Sequence, residues 1–366
     1  MRIAYDHQIF GWQKYGGVSR YFFELANNIA LNEAGEAAVV SPLHVTSYLS
    51  AASPKLKVMG LAAPAIRRTG RIYRAVNQLL VPSMMRRFAP DIVHETYYAY
   101  NRTAPPSSKV VLTVFDMIHE RFPAYFSRWD PLQKEKAAAV RRADHVICIS
   151  EHTRRDLIQL LGVAEAKTSV VHLGFSLTSA SEPIAPTSSR PYLLYVGARG
   201  GYKNFEGLLR AYSQSSAISR DFDLVAFGGG GLTPDELRLI HELGLNDTKV
   251  RQVGGTDSVL AGLYRSAALF VYPSLYEGFG IPPLEAMSFN CPVACSNTSS
   301  IPEVVGDAAR FFDPESPDSM ISAIESILTH DEIQSDLVAR GQQRISQFSW
   351  EKCASQTQNV YRSILK

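Results

Sequence analysis

Short, nearly unbroken apolar runs alternate along this chain with stretches whose apolar residues recur every three or four positions. The runs cover residues 2–6, 37–40, 57–60, 91–95, 109–115, 145–149 and 170–174, then 191–197, 223–227, 249–254 and 268–272. Their length and their Val, Ile, Leu, Tyr and Phe content predict strands buried on both faces. The amphipathic stretches predict helices over residues 21–31, 131–142, 205–213, 257–266, 319–329, 331–348 and 349–364. Ser150 and Thr256 stand where an N-cap belongs. Strand and helix in regular alternation mark an α/β fold with parallel sheets. Residues 176–190, rich in Ser, Pro, Thr and Ala and without periodicity, divide the chain as a linker.

One stretch departs from this rhythm: Tyr276-Glu277-Gly278-Phe279-Gly280-Ile281-Pro282-Pro283-Leu284-Glu285. It follows the strand at 268–272. Two glycines bracket Phe279 and let the backbone lie close to a ligand. Pro282 and Pro283 suit a first helical turn. A strand, a glycine loop and a helix N-terminus together point N–H groups and a positive dipole end at an anion. Glu277 and Glu285 can each grip a vicinal diol, so the local chemistry is that of a phosphate joined to a sugar. Two other junctions have similar chemistry. Gly16-Gly17 precedes a helix, and Arg199 and Lys203 flank Gly200-Gly201-Tyr202 between the strand at 191–197 and the helix at 205–213. A forked guanidinium beside a point-charge ammonium suits a diphosphate. His94 and Glu95 end a strand, on the side where open α/β sheets bind ligands.

Charge changes the picture of the first half. Residues 1–175 hold 22 Lys and Arg against 14 Asp and Glu, and residues 176–366 hold 15 against 21. Between Ala37 and Pro90 no acidic residue occurs, but Lys55, Lys57, Arg67, Arg68, Arg71, Arg74, Arg86 and Arg87 do. Such one-sidedness implies an anionic partner. Residues 65–88 read either as a solvated helical face interrupted by Pro82, or as part of a patch, residues 55–87, on anionic lipid. In the second case arginines would snorkel beside Ile72, Leu79, Leu80, Met84 and Met85. No nucleic-acid-binding module is visible. Cys148, Cys291, Cys295 and Cys353 lack metal or disulfide spacing and read as reduced cytoplasmic thiols. The chain opens directly on a strand, which argues against a signal peptide. No run of ~18 apolar residues predicts a membrane span.

Glu277 and Glu285 around Gly-Phe-Gly, before a proline-started helix, resemble the signature of the retaining glycosyltransferases related to glycogen synthase and bacterial mannosyltransferases, glycosyltransferase family 4. The likeness continues through Cys291-Pro-Val-Ala-Cys-Ser296 and Ile301-Pro-Glu-Val-Val-Gly306. It implies the GT-B fold: two Rossmann-like doubly wound domains, residues 1–175 and 191–349, facing across a deep cleft. A final helix, 350–366, would complete the first domain. It implies further that Arg199 and Lys203 bind the donor diphosphate, that Glu277 holds the transferred sugar and that Glu285 holds the ribose. Gly278, Phe279, Gly280 and Ile281 would line the donor, with Gly16 and Gly17 meeting it from the other domain. The nucleotide base would lie beside Gly254. Protein cations would replace a metal, so neither metal nor cofactor is expected. Many relatives carry a histidine where this chain has Phe115; Asp116 and His119 are the nearby polar candidates for that side of the reaction, with capping roles open to both. Asp221-Phe222-Asp223 resembles the metal motif of the other glycosyltransferase architecture but precedes a strand, and reads as coincidence.

The opening Tyr5-Asp6-His7-Gln8-Ile9-Phe10 and Tyr15-Gly-Gly-Val-Ser-Arg-Tyr21 are similar to mannosyltransferases of O-antigen and capsule assembly. This favours GDP-mannose over UDP-sugars as donor, and a saccharide, lipid-linked at the inner membrane face, as acceptor. A nucleotide-sugar epimerase on the same fold, or a non-catalytic nucleotide-sugar-binding scaffold, are the alternatives. The first would need acid and base groups beside the sugar; the second should have lost Arg199, Lys203 or the glutamate pair, and all four are present.

Overall fold

The computed structural model describes every residue except 33–34, 67–68, 177–189 and 247. The segment 176–190 read as a linker therefore lies almost wholly outside the described residues. The chain divides into two compact units, Met1–Gly174 with Ser349–Lys366, and Phe175–Phe348.

Among the described residues the first unit carries seven strands: β1 (Arg2–Tyr5), β2 (Glu36–His44), β3 (Lys57–Ala62), β4 (Ile92–Glu95), β5 (Lys109–Val114), β6 (His145–Cys148) and β7 (Thr168–Val170). They form one parallel sheet ordered β3-β2-β1-β4-β5-β6-β7. The second carries β8 (Tyr192–Val196), β9 (Asp223–Phe227), β10 (Val250–Val253), β11 (Leu269–Tyr272), β12 (Val293–Ser296) and β13 (Arg310–Phe312), ordered β10-β9-β8-β11-β12-β13 and again parallel. Helices cover the sheets, so β8 and β11 are buried along their whole length. That is why their sequences are unbroken apolar runs rather than alternating ones. The second core joins Leu193 and Tyr195 of β8 to Leu208, Leu209 and Tyr212 of helix Phe205–Gln214, and to Ile324 of helix Pro317–Leu328. In each sheet the strand order reverses beside the first strand of that unit. The loops after β1 and β4, and after β8 and β11, flank these reversals. Ligands of doubly wound sheets bind there.

Three expectations change. The strand expected at 170–174 is β7, Thr168–Val170. Residues 171–174 leave the sheet because Gly174 lies against the start of helix Trp350–Ile364, where a Cβ would come within 2.4 Å of the Trp350 nitrogen. Pro82 does not interrupt its helix, which runs Gly70–Phe88. Pro82 and Gln78 are both exposed, so water can solvate the Gln78 carbonyl that Pro82 leaves without a helical donor. The helix expected at 21–31 begins a turn earlier, at Gly17. There the Gln13 side chain accepts from the Ser19 N–H at 3.2 Å and the Ser19 hydroxyl donates to the Gly16 carbonyl at 3.0 Å.

His94 and Glu95, expected to face a ligand, are fully buried inside the first unit. His94 pairs through Nδ1 with the Tyr361 hydroxyl (2.6 Å) and through Nε2 with Thr113 Oγ1 (2.8 Å). Glu95 pairs with Arg142 and accepts from the Thr103 N–H at 3.1 Å. The two side chains end a strand with helices on both faces, and so point into the layers rather than out of the edge. Burial lowers the His94 pKa to about 3. The unfolded imidazole titrates near 6.5, so below that pH the unfolded state takes up a proton that the folded state refuses. The stabilising effect of neutral His94 is complete above pH ~6.5 and is lost progressively towards pH ~3, at about 1.4 kcal/mol per pH unit. Replacing His94 by glutamine is expected to flatten the stability–pH slope of this unit by that amount between pH 6 and 4. Tryptophan-detected urea unfolding reads it; an unchanged slope would refute the assignment.

Candidate active site

The loops leaving the carboxyl ends of β8, β9 and β11 build the site in the second unit. After β8 the chain passes through Arg199 and a single 3₁₀ turn, Gly201–Lys203, to Asn204 at φ 55°. Asn204 ties this loop down, donating through Nδ2 to the carbonyls of Pro273 (3.1 Å) and Pro314 (2.8 Å). The Leu275 N–H donates to the Tyr202 carbonyl at 2.8 Å. The β8 and β11 loops are thus locked together. Across that junction Lys203 Nζ meets both oxygens of Glu277, at 2.8 and 3.0 Å.

Glu277 is itself held in place. Its N–H donates to Ser299 Oγ at 3.0 Å, and the buried Ser300 hydroxyl lies 2.8 Å from the Glu277 carbonyl and 2.9 Å from that of Phe279. Phe279 is buried and meets Phe348 edge-on. Gly280, at φ 101°, turns the chain into helix Ile281–Ser288, a conformation that side chains strain to adopt. Two of the first three residues of that helix are Pro282 and Pro283, which have no N–H. The first turn of this helix therefore presents fewer main-chain N–H groups than a helix N-terminus usually does. Glu285, one turn on, is half-buried and accepts from the Tyr264 hydroxyl at 3.2 Å.

Arg199 does something the sequence did not disclose. Its side chain is 2% exposed. Nε donates to Glu236 at 2.8 Å, and the terminal nitrogens donate to the carbonyls of Gly228 (2.6 Å), Gly230 (3.0 Å) and Gly231 (2.7 Å). Gly228, Gly229 and Gly230 have φ of 91°, 70° and 75°, and a Cβ on Gly229 would reach within 2.9 Å of the guanidinium. Four consecutive glycines let the loop after β9 wrap this side chain. Although burial alone would raise it, hydrogen bonds from Arg199 and the Thr233 backbone hold the Glu236 carboxyl below its usual range. Glu236 carries no signal in the sequence beyond the capping-box spacing with Thr233. Gly254 lies exposed beyond β10, beside the glycine loop, where the Gly228 N–H donates to the Val253 carbonyl at 3.2 Å.

The remaining candidates belong to the first unit. Gly16 and Gly17 open helix Gly17–Leu31, and a Cβ on Gly17 would meet nothing within 4 Å. Asp116 Oδ1 accepts from the Ile118 N–H at 3.0 Å, a local turn, while buried Lys136 donates to the Asp116 carbonyl and to Glu120, each at 2.9 Å. His119 stacks on Phe126 and lies 3.6 Å from Asp130. Phe115 packs edge-on against Tyr21 at 5.2 Å and near Phe22, so an imidazole there would enter an aromatic cluster. Asp223 of the Asp-x-Asp triplet is buried against Arg190 and Arg251, committed to ion pairs. Among the described residues no group of three or more His, Cys, Asp or Glu is placed to hold a metal. The four cysteines are buried and free.

The second sheet thus carries a lysine–glutamate pair and a glycine-turned helix at its reversal, where doubly wound sheets bind ligands. The profile described as Glycosyl transferases group 1 matches residues 179–344, and that described as Glycosyltransferase Family 4 matches residues 15–179. The chain belongs to this glycosyltransferase family and has its GT-B fold. It is 31% identical to the O-antigen chain mannosyltransferase B of Escherichia coli, over 94% of this chain and 96% of that protein. It is 29% identical to the serotype-specific mannosyltransferase WbdA of the same species over 73% of this chain, which is 36% of that longer protein. Among solved structures it superposes on sucrose-phosphate synthase from Thermosynechococcus elongatus with a TM-score of 0.74 at 20% identity, over 99% and 98% of the two chains. It superposes on Anabaena HepE in complex with UDP and glucose with a TM-score of 0.71 at 17% identity, over 99% of each.

Proposed function

We propose that this glycosyltransferase moves a hexose, mannose before others, from a nucleotide-diphosphate sugar to a saccharide acceptor during bacterial polysaccharide synthesis, with retention of anomeric configuration. The observation that carries the reading is the Lys203–Glu277 pair at the reversal of the second sheet. Lys203 would take up charge on the departing diphosphate. Each Glu277 oxygen accepts more than one hydrogen bond, so the carboxylate can hold the ammonium and sugar hydroxyls together. Glu285, oriented by Tyr264, would take the ribose. The glycosidic C–O bond breaks with its electrons passing to the diphosphate oxygen. The acceptor hydroxyl attacks from the same face, and its proton goes to the leaving phosphate. The two E. coli relatives, both named as mannosyltransferases, support mannose, and with it GDP-mannose over UDP-sugars.

A lipid-linked acceptor at the inner membrane face fits the first unit. Leu61, Ile66, Ile72, Leu79 and Leu80 are exposed, beside exposed Arg71, Arg74, Arg86 and Arg87. Apolar side chains among cations suit a peripheral hold on anionic lipid. Arg67 and Arg68 lie outside the described residues. Among the described residues no helix is long and apolar enough to cross a membrane.

Calorimetry with GDP, UDP, GDP-mannose and UDP-glucose tests the donor. GDP and GDP-mannose are expected to bind about tenfold tighter than the uridine pair, a difference of ~1.4 kcal/mol. Lys203→Ala and Glu285→Ala should each weaken that binding by a similar factor. Failure of the folded protein to bind any of the four would end this reading, and a preference for UDP would reassign the donor.

A further inference from the structure

The carboxyl ends of the central strands β1 and β4 in the first unit carry an aromatic pair, Trp12 and Tyr97. Trp12, in the loop after β1, is 60% exposed. Its ring lies 5.3 Å from that of half-buried Tyr97, in the loop after β4. The two loops flank the reversal of this sheet, the counterpart of the site in the second unit. Trp12 does not sit on a loose tip. The N–H groups of Gly11, Trp12 and Gln13 donate to the carbonyls of His7 and Ile9 at 2.8–3.1 Å, and the Ile9 N–H donates to Thr96 Oγ1 at 3.1 Å. Ile9 and Phe10 are fully buried, and a Cβ on Gly11 would come within 3.0 Å of the buried Asn77 amide. A rigid backbone therefore holds out an indole that water solvates poorly, which is the preorganised form of a binding platform.

Polar groups surround the platform. His7 is 7% exposed and its Nδ1 has no hydrogen-bond partner among the described residues. Burial is the main cause that lowers its pKa, and the Asp6 and Arg74 charges also act on it. Burial, then the charges of Asp116, Asp130 and Glu135, pushes Tyr97 up to about 12. Asp116 lies 3.8 Å from the Lys136 ammonium and Asp130 lies 3.6 Å from His119, so the carboxylates about Tyr97 are partly balanced by neighbouring basic groups and suit a neutral ligand better than a phosphate or an anionic headgroup. An acyl chain would strand these carboxylates against hydrocarbon. A neutral sugar suits both parts: the C–H face of a pyranose lies on an aromatic ring, and its hydroxyls donate to carboxylates.

We propose that Trp12 and Tyr97 form the platform on which a neutral pyranose unit of the acceptor stacks, its hydroxyls read by the carboxylates about Tyr97 and by His7. The proposal rests on the transferase reading for the word acceptor, but not for the binding itself. The subsite selects neutral saccharide chains, whereas the cationic helix Gly70–Phe88 faces any lipid that carries them.

The test is calorimetry of the full chain with three neutral trisaccharides, of mannose, glucose and N-acetylglucosamine, with GDP and UDP titrated separately. At least one trisaccharide is expected to bind. Trp12→Ala should weaken it about tenfold, or ~1.4 kcal/mol, while Trp12→Phe keeps it within about threefold and nucleotide affinity stays unchanged in both. Because Trp12 is exposed, neither variant should lose fold, which circular dichroism checks. In a Trp129→Phe background, where buried Trp350 is the other emitter, the emission of exposed Trp12 should shift to the blue with that sugar and not with phosphatidylglycerol vesicles. Binding of no trisaccharide, equal binding by Trp12→Ala, or a shift with vesicles alone would overturn the proposal. Sugar binding without nucleotide binding would uphold the subsite and overturn the transferase reading.

Discussion

Lys203→Met is expected to lower kcat/KM by about a hundred- to a thousandfold, the usual cost of removing one preorganised charge from a reacting centre. It should also destabilise the second unit, because Glu277, 9% exposed at its side chain, loses the cation that both of its oxygens contact. A stranded carboxylate at a partly screened position costs about 1–3 kcal/mol. The two effects separate in the double variant Lys203→Met with Glu277→Gln. Stability should return, since neutral groups of similar shape no longer leave a charge unpaired, while turnover stays low. Turnover by hydrolysis or transfer from the donor, beside urea unfolding followed by circular dichroism, reads both. If Lys203→Met kept activity within about threefold, the ammonium would have no part in charge neutralisation.

Arg199→Ala is expected to cost the second unit about 3–5 kcal/mol, the range for breaking a buried charge pair. The reason lies in what the guanidinium leaves behind: the Glu236 carboxylate and the carbonyls of Gly228, Gly230 and Gly231, all turned towards it. With four glycines, and with Gln252 reaching the Gly228 carbonyl only at 3.5 Å, the loop after β9 should lose its shape before the sheet does. Arg199→Lys would keep the charge but not the fork, and so should recover only part of the loss. All three tryptophans lie in the first unit, at residues 12, 129 and 350, so hydrogen exchange of residues 228–236 is the direct measurement. A change in stability below ~1 kcal/mol with donor binding abolished would instead put the guanidinium on the diphosphate. The sequence suggested that role, but the structure gives these donors partners within the second unit.

These two residues show how far local pattern reaches. Arg199 and Lys203 occupy one glycine-containing loop and looked like a matched pair. The structure sends one inward to a loop some thirty residues on, and the other across to a glutamate 74 positions away. Glycine runs advertise freedom of φ, not what will fill the space they open. His94 and Glu95 failed for a related reason: strand ends are legible, but whether the last side chains point into a layer or out of the edge depends on register. Trp12 was passed over because an aromatic in a polar loop carries no period, and only its exposure on a pinned backbone marks it.

What the sequence determined by itself was whatever neighbours in the chain decide. Unbroken apolar runs had to be strands covered on both faces. Glycines and prolines at 278–283 had to make a tight turn into a helix. The family resemblance rested on those same residues. The tertiary structure decided which charges meet. Fixing partners across tens of residues depends on strand order and register, and each pairing balances desolvation against contact at a distance that no local pattern encodes.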